Sequence, residues 1–282
     1  RIKTNDGKVY LSDFVSVKNS PAIDSIGFNA QGQGVQIYVN THDDANATKY
    51  YRWEYQETWQ FHSMYASGYR NDFHPRLSSD QKHNCFGNDT SAHILLASTT
   101  KLANDIIYQA PLTLIPGNSE KIETKYSILV KQYALTNDAY NFWQNLQTNT
   151  EKIGSIFDML PSQLQSNFHC VTNPGEPVVG YLSAGNVTLK RIFITAGQLP
   201  QSYTLQYPGG VCRLDTLYTG PSDGSQIKAN ALYQTTMNMD SIVTGLYAVP
   251  DVLGIPYAYT YSTGLCVDCT IRGTRTAPAF WE

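Results

Sequence analysis

Charge is scarce in this chain. Asp, Glu, Lys and Arg account for 15% of its 282 residues, and the net charge is −3, against about 25% charged in an ordinary domain. A nucleic-acid partner would need a basic stripe, and none is present. No apolar run approaches the ~18 residues that a membrane-spanning helix requires. The opening Arg1-Ile2-Lys3 lacks the charged-then-apolar pattern of a signal segment. Also missing are the Gly-x-Ser-x-Gly elbow, the phosphate loop, the dinucleotide fingerprint and His-Glu-x-x-His. Six histidines are scattered, with His74 and His83 nearest to sharing one stretch. That spacing reads as surface histidines, so no metal, cofactor or catalytic residue is assigned and the chain is read as non-enzymatic. Internal repeats and low-complexity tracts are absent too.

What is abundant is tyrosine, twenty residues of it, alongside much Ser, Thr, Asn and Gln. Tyr and Thr suit a pleated surface, so the composition points to β structure. Residues 50–61 give the strongest strand signal. Tyr51, Trp53, Tyr55, Glu57, Trp59 and Phe61 alternate onto one face, which reads as sandwich core because aromatics dominate burial. Glu57 interrupts that face, and a buried carboxylate needs a partner. A bulge, a nearby cation or emergence into solvent is therefore expected there. Earlier, Val35, Ile37 and Val39 alternate inward. The polar residues 41–48, with Asp43, Asp44 and Asn46, lack the ligand spacing of calcium loops and read as a solvated turn.

From His62 to Asn88 periodicity dissolves, punctuated by Gly68, Pro75 and Gly87. Long aperiodic stretches often carry function. Tyr65, Tyr69, Arg70 and Phe73 are the candidate partner-contact residues, being types that carry interface energy. Strands follow over 92–102 and 105–116, broken at Pro111 and Pro116, and again over 125–135. The period then changes: Ala139, Phe142, Trp143, Leu146 and Ile153 form the stripe of an amphipathic helix. Thr136 or Asn137 caps it, Asp138 suits its dipole, and Gly154 stops it. Such a helix must dock its Phe142/Trp143 stripe on a sheet. Residues 177–195 read as a hairpin turning at 184–186. The remainder is β-rich, and Tyr257, Tyr259 and Tyr261 alternate on one strand.

Five cysteines allow fifteen arrangements of two bridges and one thiol. Cys266-Val267-Asp268-Cys269 has the spacing of half a zinc knuckle, but four ligands are needed and no second pair occurs. Disulfides among Cys85, Cys212, Cys266 and Cys269 are expected instead. Cys212, upstream in a β-like stretch, is the first candidate partner for the pair.

Several stretches together resemble one family. They are YSILVKQYALTNDAYNFWQNLQ, GSIFDMLPSQL and VVGYLSA, with SPAIDSIGF, KYYRWEYQETWQF and the C-terminal CVDCTIRGTRTAPAFW. They look like the signature of domain of unknown function 4249, lipoproteins of Bacteroidota encoded beside TonB-dependent outer-membrane receptors. The resemblance implies a cell-surface protein of the outer membrane, held by an N-terminal lipid anchor and partnered by such a receptor. It also implies that residues 1–19 are the last hairpin of an N-terminal β-domain, paired weakly or leaning on the next domain. Cys170, where the family motif varies, is the candidate free thiol. In that phylum Asp-Ser/Thr-aliphatic tripeptides accept O-glycans, which makes Ser25, Thr216 and Ser241 candidates.

The reading is a mainly β protein, a fibronectin- or immunoglobulin-like β-sandwich with one docked helix. Its parts are the hairpin (1–19), the sandwich (20–135), the helix and its exit (136–163), and a β-rich C-terminal section (164–282). The expected function is accessory to a TonB-dependent receptor, in nutrient capture or complex assembly. A free-standing glycan- or peptide-binding module and a structural surface component are the alternatives.

Overall fold

A computed structural model describes residues 1–66, 77, 81–151, 166–207, 212–218, 242–250 and 256–281. For residues 31, 215–218, 242–250 and 256–261 the backbone alone is described. Short strands open the chain: β1 (Ile2–Lys3), β2 (Val9–Ser12) and β3 (Val17–Lys18). Longer ones follow: β4 (Ile23–Gln31), β5 (Gly34–His42), β6 (Tyr50–His62), β7 (Asn84–Thr90), β8 (Leu95–Ser98), β9 (Ile106–Pro116) and β10 (Lys125–Ala134). Helix α1 (Asn137–Glu151) comes next, then β11 (Phe168–Cys170), β12 (Ala184–Gly185) and β13 (Val187–Thr195). The C-terminal section holds β14 (Asp215–Tyr218), β15 (Ile242–Pro250), β16 (Pro256–Thr263) and the one-turn helix α2 (Gly264–Val267).

Two antiparallel sheets face each other as a sandwich. One is three-stranded, β4–β5–β9; the other is five-stranded, β13–β10–β6, with β7 and β8 sharing the far edge of β6. Alternation dictates what lies between them. Val35, Ile37 and Val39 of β5 are wholly buried against Tyr51, Trp53 and Phe61 of β6 and Tyr126, Ile128 and Val130 of β10. A polar hub crosses this core. Buried Gln132 accepts from Trp53 Nε1 at 2.9 Å, and its amide donates to Pro21 O at 3.0 Å and Thr41 Oγ1 at 3.1 Å. The Gln132 side chain is thereby satisfied and links the two sheets, whereas the buried Tyr51 hydroxyl and Trp59 Nε1 have no hydrogen-bond partner.

The sandwich draws its strand β13 from beyond the helix, so its residues are not confined to 20–135. Residues 177–195 do not form the expected hairpin. Instead β12 pairs in parallel with β3, and β13 pairs with β10. The N-terminal segment displaces the turn: Asn186 Oδ1 accepts from Ser20 N at 2.5 Å and Thr188 Oγ1 donates to Ser20 O at 3.2 Å. Gly185 lies so close to Lys18 that a Cβ would sit 2.4 Å from its carbonyl oxygen. Strand β2 likewise joins β11, so residues 1–18 lean on residues 168–185 as well as on each other. The expected break at Pro111 is absent too. Strand β9 runs through it, absorbing the missing donor in register shifts opposite β5, with Gln109 at φ 52°. Edge strands and bulges are where sheets tolerate proline.

Helix α1 starts as its sequence dictates, with Thr136 Oγ1 accepting from Ala139 N at 3.2 Å. Ala139 and Phe142 are buried. The Arg52 guanidinium carbon lies 4.2 Å from the centroid of the Trp143 ring and 4.5 Å from that of Tyr133. The stripe thus docks on the outer face of β6 and β10, through a cation shared by two rings. Ile153 and Gly154 lie outside the described residues.

Candidate contact site

Of the four candidate contact residues, Tyr69, Arg70 and Phe73 lie outside the described residues. Tyr65 is half-buried, and it is held in a seam. Its N–H donates to Cys266 O at 2.9 Å and its hydroxyl to Cys212 O at 3.2 Å. Disulfides join Cys212 to Cys266 and Cys85 to Cys269, while Cys170 is a buried thiol. Both sulfurs of the Cys-x-x-Cys pair are therefore used, each with a different partner, and neither is left for zinc. Between them Asp268 accepts from Lys82 Nζ at 2.7 Å and from Thr270 N at 2.9 Å. Burial pushes this carboxyl up, but the bonds from Lys82 and Thr270 outweigh it and hold the group below its ordinary range. Cys269 N also donates to Lys82 O at 2.9 Å. The C-terminal segment thus pins both flanks of residues 67–80, the chain on either side of the candidate contacts.

The same seam contains a histidine pair. His62 and His83 stack with ring centroids 5.0 Å apart. Glu123 accepts from His62 N at 2.8 Å and from the Tyr207 hydroxyl at 3.3 Å, and Ser63 Oγ sits 3.1 Å from His83 Nδ1. Among the described residues no group of three His, Cys, Asp or Glu is arranged to hold a metal. His74, the expected neighbour of His83, lies outside them. Burial, then the nearby His62, lower the His83 pKa from 6.5. The unfolded chain therefore takes up this proton first, so stability falls as pH drops below about 6.5 towards the folded value. Exposed His42 works the other way, raised by its 2.7 Å bond to Asp24; its contribution is complete below 6.5 and fades as pH rises through the folded value. Replacing His83 by Gln should flatten the acid limb of the profile, read as urea midpoints at pH 7.5 and 5.5. An unchanged limb would assign it to other groups.

Glu57 is where the sequence demanded a partner, and it has two. Lys121 Nζ lies 2.6 Å from Oε2 and the Tyr126 hydroxyl donates to Oε1 at 2.6 Å. Of the three expected solutions the structure uses the cation, and β6 runs on without a bulge. Asp89 lies 3.2 Å from the same ammonium, which sits 5.0 Å over the Trp59 ring. Burial lowers the Lys121 pKa, but the Glu57 and Asp89 contacts more than offset it, so it stands above its ordinary value. Burial and adjacent Glu57 hold Tyr126 far above 10. With the carboxylate sealed at 3% exposure and both oxygens occupied, this cluster ties the sandwich together and offers no reacting atom. Opposite Trp59, Gly87 belongs to β7 rather than to the aperiodic stretch, because only a bare Cα fits beneath that ring.

Asp43 in the polar turn spends its oxygens on backbone amides of Ala45, Ala47 and Thr48, as in an Asx-type turn. Ser25 is exposed on β4, where its hydroxyl accepts from Asn40 Nδ2 at 2.8 Å. Thr216 falls on β14, Tyr257, Tyr259 and Tyr261 on β16, and their side chains, like all of Ser241, are outside the description. Sequence reasoning missed Lys121, Tyr126 and Gln132 as partners. The only signal for them was the need of Glu57 and Trp53 for polar company.

The family described as domain of unknown function (DUF4249) matches residues 1–191. The C-terminal stretch from Cys266, which also resembles it, lies beyond the matched residues. No curated protein and no solved structure matches the chain.

Proposed function

The chain belongs to the DUF4249 family, and from that premise we propose that it is a non-enzymatic, surface-facing lipoprotein of the outer membrane, accessory to a TonB-dependent receptor in nutrient capture or complex assembly. The observation that carries this reading is the pairing of four of its five cysteines, the pattern of an oxidising, extracytoplasmic compartment. Family context supplies the partner class. The seam supports it, because two disulfides and the bonds of Tyr65 and Lys82 hold the described residues on either side of 67–76, and interface residues act best when their neighbours are rigid. The test is affinity capture from mildly solubilised native outer membranes, followed by mass spectrometry. A TonB-dependent receptor should co-purify in near-equal amount. Recovery of this protein alone would overturn the partnership.

A further inference from the structure

Helix α1 has a second side. Asp138, Asn141, Phe142 and Asn145 follow the i, i+3, i+4, i+7 spacing that puts side chains on one face. That face lines a cavity of about 250 Å³ closed on its other side by Asp13, Phe14, Ser166, Asn167 and Tyr181. The far wall is built rather than loose. Asn167 is 8% exposed, its amide donates to Leu182 O at 2.9 Å, and its Oδ1 accepts from Leu182 N at 2.8 Å. Its carbonyl accepts from Asp13 N at 2.8 Å, so one residue ties the segments carrying Asp13, Phe14 and Tyr181 into a fixed frame. Buried Phe142 packs 5.4 Å from half-buried Tyr181, while Phe14 is wholly exposed.

The lining decides the ligand. It contains no Lys or Arg, which disfavours an anion. Its two carboxylates, Asp13 and Asp138, fall short of a metal site, since among the described residues no group of three His, Cys, Asp or Glu is arranged to hold one; Asp138 stands in the first turn of α1, where the helix dipole favours an anion. A cation is therefore not demanded. What remains is a set of amide and carboxylate groups suited to hydroxyls, beside aromatic faces whose negative quadrupole attracts polarised C–H bonds. The volume lies below the ~300–1,000 Å³ of drug-sized sites, enough for one ring. We infer that this cleft binds a single ring of a neutral saccharide, with Asn141 and Asn145 on its hydroxyls and Phe14 against its apolar face.

The inference stands apart from the receptor reading, since it is measured on the purified chain alone. Titration calorimetry with maltohexaose, cellohexaose, xylohexaose and mannohexaose tests it, with pentalysine and a sulfated oligosaccharide as charged controls. At least one neutral sugar should bind while the controls do not. Asn141→Ala and Phe14→Ala, both at exposed positions, should each weaken it about tenfold, the worth of one such contact, at an unchanged melting temperature. Binding unaffected by either substitution, tighter binding of a charged control, or no binding across the neutral panel would overturn the assignment.

Discussion

Lys121→Met should lower the unfolding free energy by about 3 kcal/mol, the low end of what is lost when one partner of a buried ion pair is removed. The substitution keeps an unbranched side chain of similar length but takes away the charge that Glu57 faces at 2.6 Å and that sits 5.0 Å over the Trp59 ring. The low end applies because Lys121 retains 24% of its side-chain exposure, and water can partly replace it. The signature lies in the double variant. Glu57→Gln still accepts from the Tyr126 hydroxyl and asks for no cation, so Glu57→Gln with Lys121→Met should recover most of the loss. Urea unfolding of the four proteins in the cycle measures the coupling. Additive losses would mean that Lys121 acts through its packing alone.

Removing Cys85–Cys269 by a double Ser substitution should cost more than removing Cys212–Cys266. Their sequence separations are 184 and 54 residues. In the loop-entropy account these correspond to about 5 and about 4 kcal/mol, and measured losses commonly fall at 2–5. The longer bridge also carries the architecture: it fastens the C-terminal segment to β7, beside the Phe86–Thr274 bridge and Trp281, whose ring packs 5.3 Å from Phe86 and 5.7 Å from Phe193. Denaturant midpoints of the two variants decide it. Equal losses would indicate that the segment is held by these aromatic contacts and not by the covalent link.

The legible parts of this fold are those written in local period. The aromatic face of β6, the inward Val35, Ile37 and Val39, and the capped start of α1 follow from spacing, because side-chain direction repeats every two residues in a strand and every 3.6 in a helix. Glu57 was legible as a problem, not as a solution, since Lys121 stands 64 residues away in a short turn whose position depends on the assembled sheets. The hairpin expected at 177–195 failed for a related reason. Locally two β-prone runs around a Gly-Asn turn suit each other, but Asn186 bonds to Ser20 and β10 offers β13 a buried neighbour. Pro111 misled because proline forbids a ladder donor only where a donor is needed. The polar face of α1 was hidden beside its stronger apolar stripe, and its facing wall comes from residues 13–14, 166–167 and 181, which no window over the helix includes.

The measurement that bears most directly on the central claim is a count of thiols on the protein taken from its native cell. Alkylation under native conditions, then after unfolding, then after reduction, would be read by intact mass. An exported, disulfide-braced protein should show no reactive thiol when folded and one on unfolding, at buried Cys170, with the other four appearing only after reduction. Five thiols available on unfolding without reductant would place the protein in a reducing compartment and contradict the account of a surface-facing partner.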